Sequence, residues 1–144
     1  MTSSKAILIV DDDATEALLI ARAFRKSGLS NPTFTVLDAD EAKSYLKGDG
    51  QYSDREQFPL PGLVLLDQSL PGAAEWEVLR WIRADPVLKT TAVVVFSGSE
   101  NPQHRTGAIA LGANAYQIKP QDSEEYQAVL KTLAARWLPP SADR

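Results

Sequence analysis

Between Leu63 and Asp67 the chain reads LVLLD, four apolar side chains in succession and then a carboxylate. A run of this length without polar alternation suits a strand buried on both faces, and such strands belong to parallel sheets. In an open parallel sheet, ligands bind just beyond the carboxyl ends of the strands. Asp67 stands at that place, followed by a turn, QSLPG, around Leu70 and Pro71. A partly desolvated carboxylate there is suited to act as a nucleophile or a cation ligand. On this stretch alone a second reading stands beside the first, in which Asp67 only caps the turn.

The rest of the chain repeats the pattern. Ala6 to Val10 (AILIV) is a second apolar run, ended by Asp11, Asp12 and Asp13. Asp13 with Glu16 three residues later makes a helix-capping pair. Ala17, Ile20, Ala21 and Phe24 then recur at helical spacing, and Gly28 stops the helix. Thr33 to Leu37 predicts a strand. Asp40 is placed to cap a helix with Ala42, Tyr45 and Leu46 inward and Gly48 past its end. Asp49 to Pro61 reads as a polar surface loop. A helix is expected from about Ala74 to Ala84, with Val78, Leu79 and Ile82 inward and Pro86 as its stop. Thr91 to Phe96 is the fourth strand. Asn101 then Pro102 opens a helix that Gly112 closes. Ala115 to Ile118 is the fifth strand and delivers Lys119. Asp122 and Glu125 cap a last helix, whose stripe runs Tyr126, Val129, Leu130, Leu133, Ala134, Trp137.

Strand and helix alternate five times, which predicts an α/β fold with helices on both faces of a parallel sheet. Five units in one small domain suit the flavodoxin-like, doubly wound (βα)5 arrangement with strand order 2-1-3-4-5. With 144 residues, one domain is expected over 1–144, its core spanning about 5–137 and a short tail over 138–144.

Composition narrows the chemistry. A net charge of −4 argues against a broad nucleic-acid footprint. The absence of cysteine removes disulfides, thiolate catalysis and cysteine zinc sites, and fits a reducing compartment. His104, the single histidine, cannot build a histidine-rich metal site, and it is expected to be exposed near the start of the fourth helix. No signal peptide precedes the first aspartates and no apolar run reaches the ~18 residues of a spanning helix, so a cytoplasmic protein is expected, away from membranes.

The expected strand order gathers Asp11 and Asp12, Asp67, Ser97 and Lys119 around one crevice. Singly, each has an ordinary explanation as a loop charge, a turn residue or a surface cation. Together they supply what phosphoryl transfer needs. Three converging carboxylates repel one another unless a cation binds, and Mg2+ prefers such oxygen ligands. Asp67 is then placed to attack phosphorus, with Ser97 and Lys119 to hold the phosphoryl oxygens.

In this set the chain resembles the receiver domain of two-component response regulators. The resemblance rests on ILIVDDD, LVLLDQSLP, VVVFSGS and GANAYQIKP, in that order. It implies that Asp67 accepts a phosphoryl group from a sensor histidine kinase with Mg2+ present. It further implies that Asp12 binds the metal directly, Asp11 through water, and Ser69 through its backbone carbonyl. Ser97 would be the hydroxyl that moves toward the phosphoryl group, Lys119 its counter-ion, and Tyr116 the aromatic switch residue. Read alone, Tyr116 is equally a packing residue. The Lys119–Pro120 bond would be cis. One departure stands in PGAAEW, where Glu75 occupies the position at which the family usually has glycine. The stretch from Trp76 to Pro102 is similar to stand-alone receivers serving phytochrome-type kinases. Such a chain is a phospho-accepting switch rather than an enzyme. Its output would be contact with a downstream or phosphotransfer protein, or a change of self-association such as homodimer formation. Trp137 and Leu138 are candidates for that contact, or caps on the core.

Two other readings compete with this one. Asp11, Asp13 and Thr15 spell the D-x-D-x-T opening of a haloacid-dehalogenase-type phosphatase with Asp11 as nucleophile. Against it, the distal acid pair is missing, there is no room for a cap domain, and Asp13 already has a capping role. A flavin-binding module fits the fold, but three acids after the first strand would repel a phosphate.

Overall fold

The computed structural model describes residues 5–68, 70, 72 and 76–138. Five strands form one parallel sheet in the order β2-β1-β3-β4-β5. They are β1 (Ala6–Val10), β2 (Thr33–Val36), β3 (Pro61–Asp67), β4 (Ala92–Ser97) and β5 (Ala115–Ile118), alternating with α1 (Ala14–Lys26), α2 (Ala39–Lys47), α3 (Glu77–Ala84), α4 (Pro102–Ala110) and α5 (Ser123–Trp137). This is the expected flavodoxin-like (βα)5 architecture.

Side chains alternate across a strand, so one sheet feeds two cores. Ile7, Ile9, Leu63, Leu65, Val94 and Phe96 point to the face covered by α1 and α5, where they meet Ile20, Phe24, Leu130 and Leu133. Leu8, Val10, Val64, Leu66, Val93 and Val95 point the other way, onto Ala42, Tyr45, Leu79 and Ile82 from α2 and α3 and Ala108 from α4. The register levels the strand ends: Val10 lies beside Leu66, Asp67 beside Phe96, and Ser97 beside Ile118. Asp11, Asp67, Ser97 and Lys119 therefore emerge at one edge.

Most expected caps are present. Asp13 accepts from the N–H groups of Thr15 and Glu16, Asn101 from Gln103, and Asp122 from Glu124. The α2 cap differs: it is Asp38, not Asp40. Asp38 accepts from the Glu41 N–H at 2.7 Å, and Glu41 reaches back past the cap to accept from the Leu37 N–H at 2.9 Å, a pairing across the helix start that Asp40, adjacent to Glu41, is too close to make. β2 accordingly ends at Val36 rather than Leu37. The 49–60 segment is also more ordered than a polar loop. Tyr52 and Phe58 stack with Phe34 and Tyr45 at centroid distances of 5.0–6.0 Å. Arg55 donates to the Tyr45 and Leu46 carbonyls, satisfying the C-terminus of α2.

α3 begins at Glu77, later than expected, behind Trp76 in the left-handed region at φ 64°. A bulky residue there stores roughly 1–3 kcal/mol of strain, which burial of the indole offsets. Ala74 and Glu75 lie outside the described residues. Every described peptide bond is trans, Lys119–Pro120 included, which corrects the cis expectation and matches the ordinary preference of X–Pro bonds. Trp137 is half-buried against the α1/α5 core, with the Arg136 guanidinium 5.1 Å from its ring centre. No helix among the described residues is long and apolar enough to cross a membrane.

Candidate functional site

Asp11, Asp12 and Asp67 each bring a carboxylate oxygen to within 4.8 Å of the others. Asp11 is 2% exposed; Asp12 faces solvent, and Asp67 lies between these extremes. The Asp11 Oδ1 accepts from the Asp13 N–H at 2.9 Å, whereas its Oδ2 is buried with no hydrogen-bond partner. A buried carboxylate oxygen left bare is costly unless a cation or donor meets it. The donor set is oxygen only, which fits a hard divalent cation. Burial above all, then the neighbouring Glu16 carboxylate, pushes the Asp11 carboxyl up to about 8. Burial also raises Asp67, and the Lys119 charge opposes the rise.

Lys119 leaves the end of β5 and reaches Asp67 Oδ1 at 3.4 Å. Its shorter contact, 2.7 Å, is to Glu16 Oε1 in the first turn of α1. Glu16 Oε2 in turn accepts from the Tyr126 hydroxyl on α5 at 2.9 Å. Burial works against the Lys119 charge, but Glu16 and Asp67 outweigh it and raise the ammonium above its ordinary value. Glu16 was expected only as a partner of Asp13 in the helix cap. Asp13 does cap, but the Glu16 side chain turns across the cleft. Its partners lie 103 and 110 residues away in sequence, beyond any local pattern.

The opposite flank is neutral. Ser97, 4% exposed, donates from Oγ to Gln68 Oε1 at 2.6 Å and accepts from the Ser99 N–H at 3.0 Å. Tyr116 is buried, and its hydroxyl lies 2.9 Å from the Ser99 carbonyl and 3.2 Å from the same Gln68 oxygen. Gln68 thus faces both residues, and it was not anticipated. Its position directly after Asp67 was the available signal: if alternation continues past the strand, the next residue faces the α3/α4 side with Ser97. His104, expected to be exposed, is half-buried with Nδ1 2.6 Å from the Ser99 hydroxyl. Ser69, expected to offer its carbonyl to a metal, lies outside the described residues.

The phosphatase alternative loses its second acid, since Asp13 is spent on the α1 cap and lies outside the carboxylate triplet. Relatives agree. Response regulator Rcp1 of Synechocystis sp. is 29% identical over 134 residues, 93% of this chain and 89% of Rcp1. The phosphorylated cyanobacterial phytochrome response regulator RcpA has a similar structure, with a TM-score of 0.84 at 32% identity over 96% of this chain and 100% of that one. The Mn2+-bound form of Rcp1 matches with a TM-score of 0.81 at 28% identity over 96% and 97% of the two chains. Residues 7–131 match the response regulator receiver domain, which covers most of the chain. With strand order, acidic cleft and sequence in agreement, the chain belongs to the receiver domain family of two-component response regulators.

Proposed function

We propose that Asp67 is the phosphoacceptor of this receiver and that its donor is a phosphohistidine on a sensor kinase of the phytochrome type. The observation that carries this reading is the Asp11, Asp12 and Asp67 triplet, with Lys119 against Asp67, at the carboxyl edge of a parallel sheet. An Asp67 oxygen forms the new bond to phosphorus as the P–N bond breaks. The imidazole nitrogen of the donor keeps that electron pair. Asp11, Asp12, Asp67 and the Ser69 carbonyl would hold Mg2+, which when bound neutralises charge on the acids and the phosphoryl oxygens. Lys119 and the Ser97 hydroxyl then stabilise the non-bridging phosphoryl oxygens.

The product carries about −1.5 to −2 charges, by analogy with other protein phosphates. Ser97 leaves Gln68 for a phosphoryl oxygen, and Tyr116 loses the partner of its shared acceptor. The surface around α4, β5 and α5 is then the readout, by contact with a downstream or phosphotransfer protein or by self-association. The chain acts as one cytoplasmic receiver unit and switch, with no turnover of an external substrate. Rcp1 and RcpA, both response regulators, support the choice of partner.

Acetyl phosphate with magnesium should add the mass of one phosphoryl group to the intact protein, and sizing of both forms should report any change of association. Asp67→Asn should not label; labelling equal to the parent's would remove Asp67 from this role.

A further inference from the structure

Glu16 has no place in the phosphoryl-transfer scheme, yet it is the closest partner of the cation that scheme needs. Its two carboxylate oxygens are divided between Lys119 at 2.7 Å and the Tyr126 hydroxyl at 2.9 Å, while Asp67 holds Lys119 at 3.4 Å. We propose that Glu16 is a positioning residue that holds Lys119 back from Asp67 in the unphosphorylated protein, and that phosphorylation takes Lys119 from it and releases Tyr126 on α5. The proposal rests on Asp67 being the phosphoacceptor.

The argument is one of competition. Lys119 has a single ammonium, and Glu16 offers it one negative charge in a cleft sheltered from water. Before phosphorylation, Asp67 offers the same charge at longer range and shares it with Asp11 and Asp12. After phosphorylation the Asp67 side carries roughly twice the charge and more acceptor oxygens. Only a ligand that prefers one state moves such an equilibrium, and this difference in charge is that preference. Glu16 therefore favours the unphosphorylated form, and its loss should favour the phosphorylated one.

Tyr126 makes the exchange readable at a distance. It starts the inward stripe of α5 and packs edge-on against Phe96, with centroids 5.5 Å apart and planes at 88°. Phe96 precedes Ser97 in β4, and the Lys119 ammonium lies 5.9 Å from the Phe96 ring centre. When Glu16 loses Lys119, its carboxylate loses the charge that fixes its direction, and the Tyr126 hydroxyl loses a fixed acceptor. The first turn of α5 then moves relative to α1. This route is separate from the one through Ser97 and Tyr116: Glu16 accepts from Lys119 and Tyr126, whereas Gln68 accepts from Ser97 and Tyr116.

Glu16→Gln, Glu16→Asp and Tyr126→Phe test it, each labelled with acetyl phosphate and magnesium beside the parent and Asp67→Asn. A hydrogen bond to a charged group supports an effect of about tenfold, so Glu16→Gln should label about tenfold faster or hold the phosphoryl group about tenfold longer. Glu16→Asp keeps the charge but shortens the reach, and should shift in the same direction. Tyr126→Phe leaves every charge in place and should shift the same way by less. A purely electrostatic role for Glu16 predicts instead that both charge-preserving variants behave like the parent. A second readout needs no kinetics: with 3-fluorotyrosine incorporated, the Tyr126 resonance, assigned by its loss in Tyr126→Phe, should move on phosphorylation. In Glu16→Gln it should already be displaced. If the parent labels, Asp67→Asn does not, yet all three variants label like the parent and the Tyr126 resonance stays still, the Glu16 proposal fails alone. If Asp67→Asn labels as the parent does, the phosphoacceptor assignment itself fails.

Discussion

The two flanks of Asp67 are built from opposite chemistry. On the α1/α5 side stand Lys119, Glu16 and the Tyr126 hydroxyl, joined by an ion pair and a charge-assisted hydrogen bond. On the α3/α4 side stand Ser97, Tyr116 and Gln68, joined by neutral hydrogen bonds around one amide oxygen. Strand alternation explains the division. Gln117 and Lys119 continue the parity of Ala115, which packs in the α1/α5 core, while Tyr116 and Ile118 belong to the other. In β4 the parity is reversed, so Phe96 joins the charged flank and Ser97 the neutral one. A phosphoryl group on Asp67 draws on both, taking a cation from one side and a hydroxyl from the other. Charge-assisted bonds are about twice as strong as neutral ones, so the α1/α5 flank should govern the rate of transfer and the α3/α4 flank its readout.

The sharpest way to break this comparison is to remove the cation. Lys119→Met should slow labelling by acetyl phosphate ~10²–10³-fold, the scale for loss of a preorganised charge-stabilising donor. Ser97→Ala, which removes a neutral hydroxyl, should slow it far less. Matched losses in the two variants, measured by intact mass against time, would show that the flanks do not differ in kind.

A second contrast comes from pH. With Asp11 raised from 3.8 to about 8, the folded protein binds more protons than the unfolded chain between those values. Stability of the metal-free protein should therefore fall as pH rises through that window and level off above it. Glu16, lowered from its ordinary 4.5, works in the other direction only at the acidic end. Raised Lys119 contributes stability that is present below its ordinary 10.5 and lost only at higher pH. Urea midpoints across the window should show the decline, and Asp11→Asn should lessen it, the raised Asp67 carboxyl leaving a remaining slope of the same sign. Magnesium should restore more stability at the alkaline end, because metal and proton compete for the same carboxylates.

How much of this was legible in the chain follows from range. The sheet and its order came from apolar runs and helical periodicity, which are local signals, and strand ends fixed Asp11, Asp67, Ser97 and Lys119 as neighbours. The α2 cap was also legible, since Glu41 stands three residues after Asp38; the spacing favours Asp38 and Asp40 only distracted from it. Glu16 was not. A glutamate three residues after an aspartate at a helix start has a sufficient local explanation, and nothing nearby tells that its carboxylate instead crosses to β5 and α5. The 49–60 segment failed for a related reason, because Tyr52 and Phe58 follow neither helical nor strand period and pack only once Phe34 and Tyr45 are beside them.

The smallest expected effect comes from a matched pair of hydroxyl deletions. Tyr116→Phe and Tyr126→Phe each remove one oxygen, and each of those oxygens donates to a side chain beside the site. The Tyr116 hydroxyl also reaches the Ser99 carbonyl, and both of its acceptors are uncharged, so its loss should cost about 1 kcal/mol of stability. It should leave labelling at the parent's rate, because neither acceptor carries the charge that the phosphoryl group must displace. The Tyr126 hydroxyl donates to a carboxylate that competes for Lys119, so its loss should alter labelling even where the stability change is similar. Denaturant midpoints and labelling rates measured on the same two variants separate the flanks directly. Faster labelling in Tyr116→Phe would mean that Gln68 restrains Ser97 as firmly as Glu16 restrains Lys119, and the neutral flank would then share control of the chemistry.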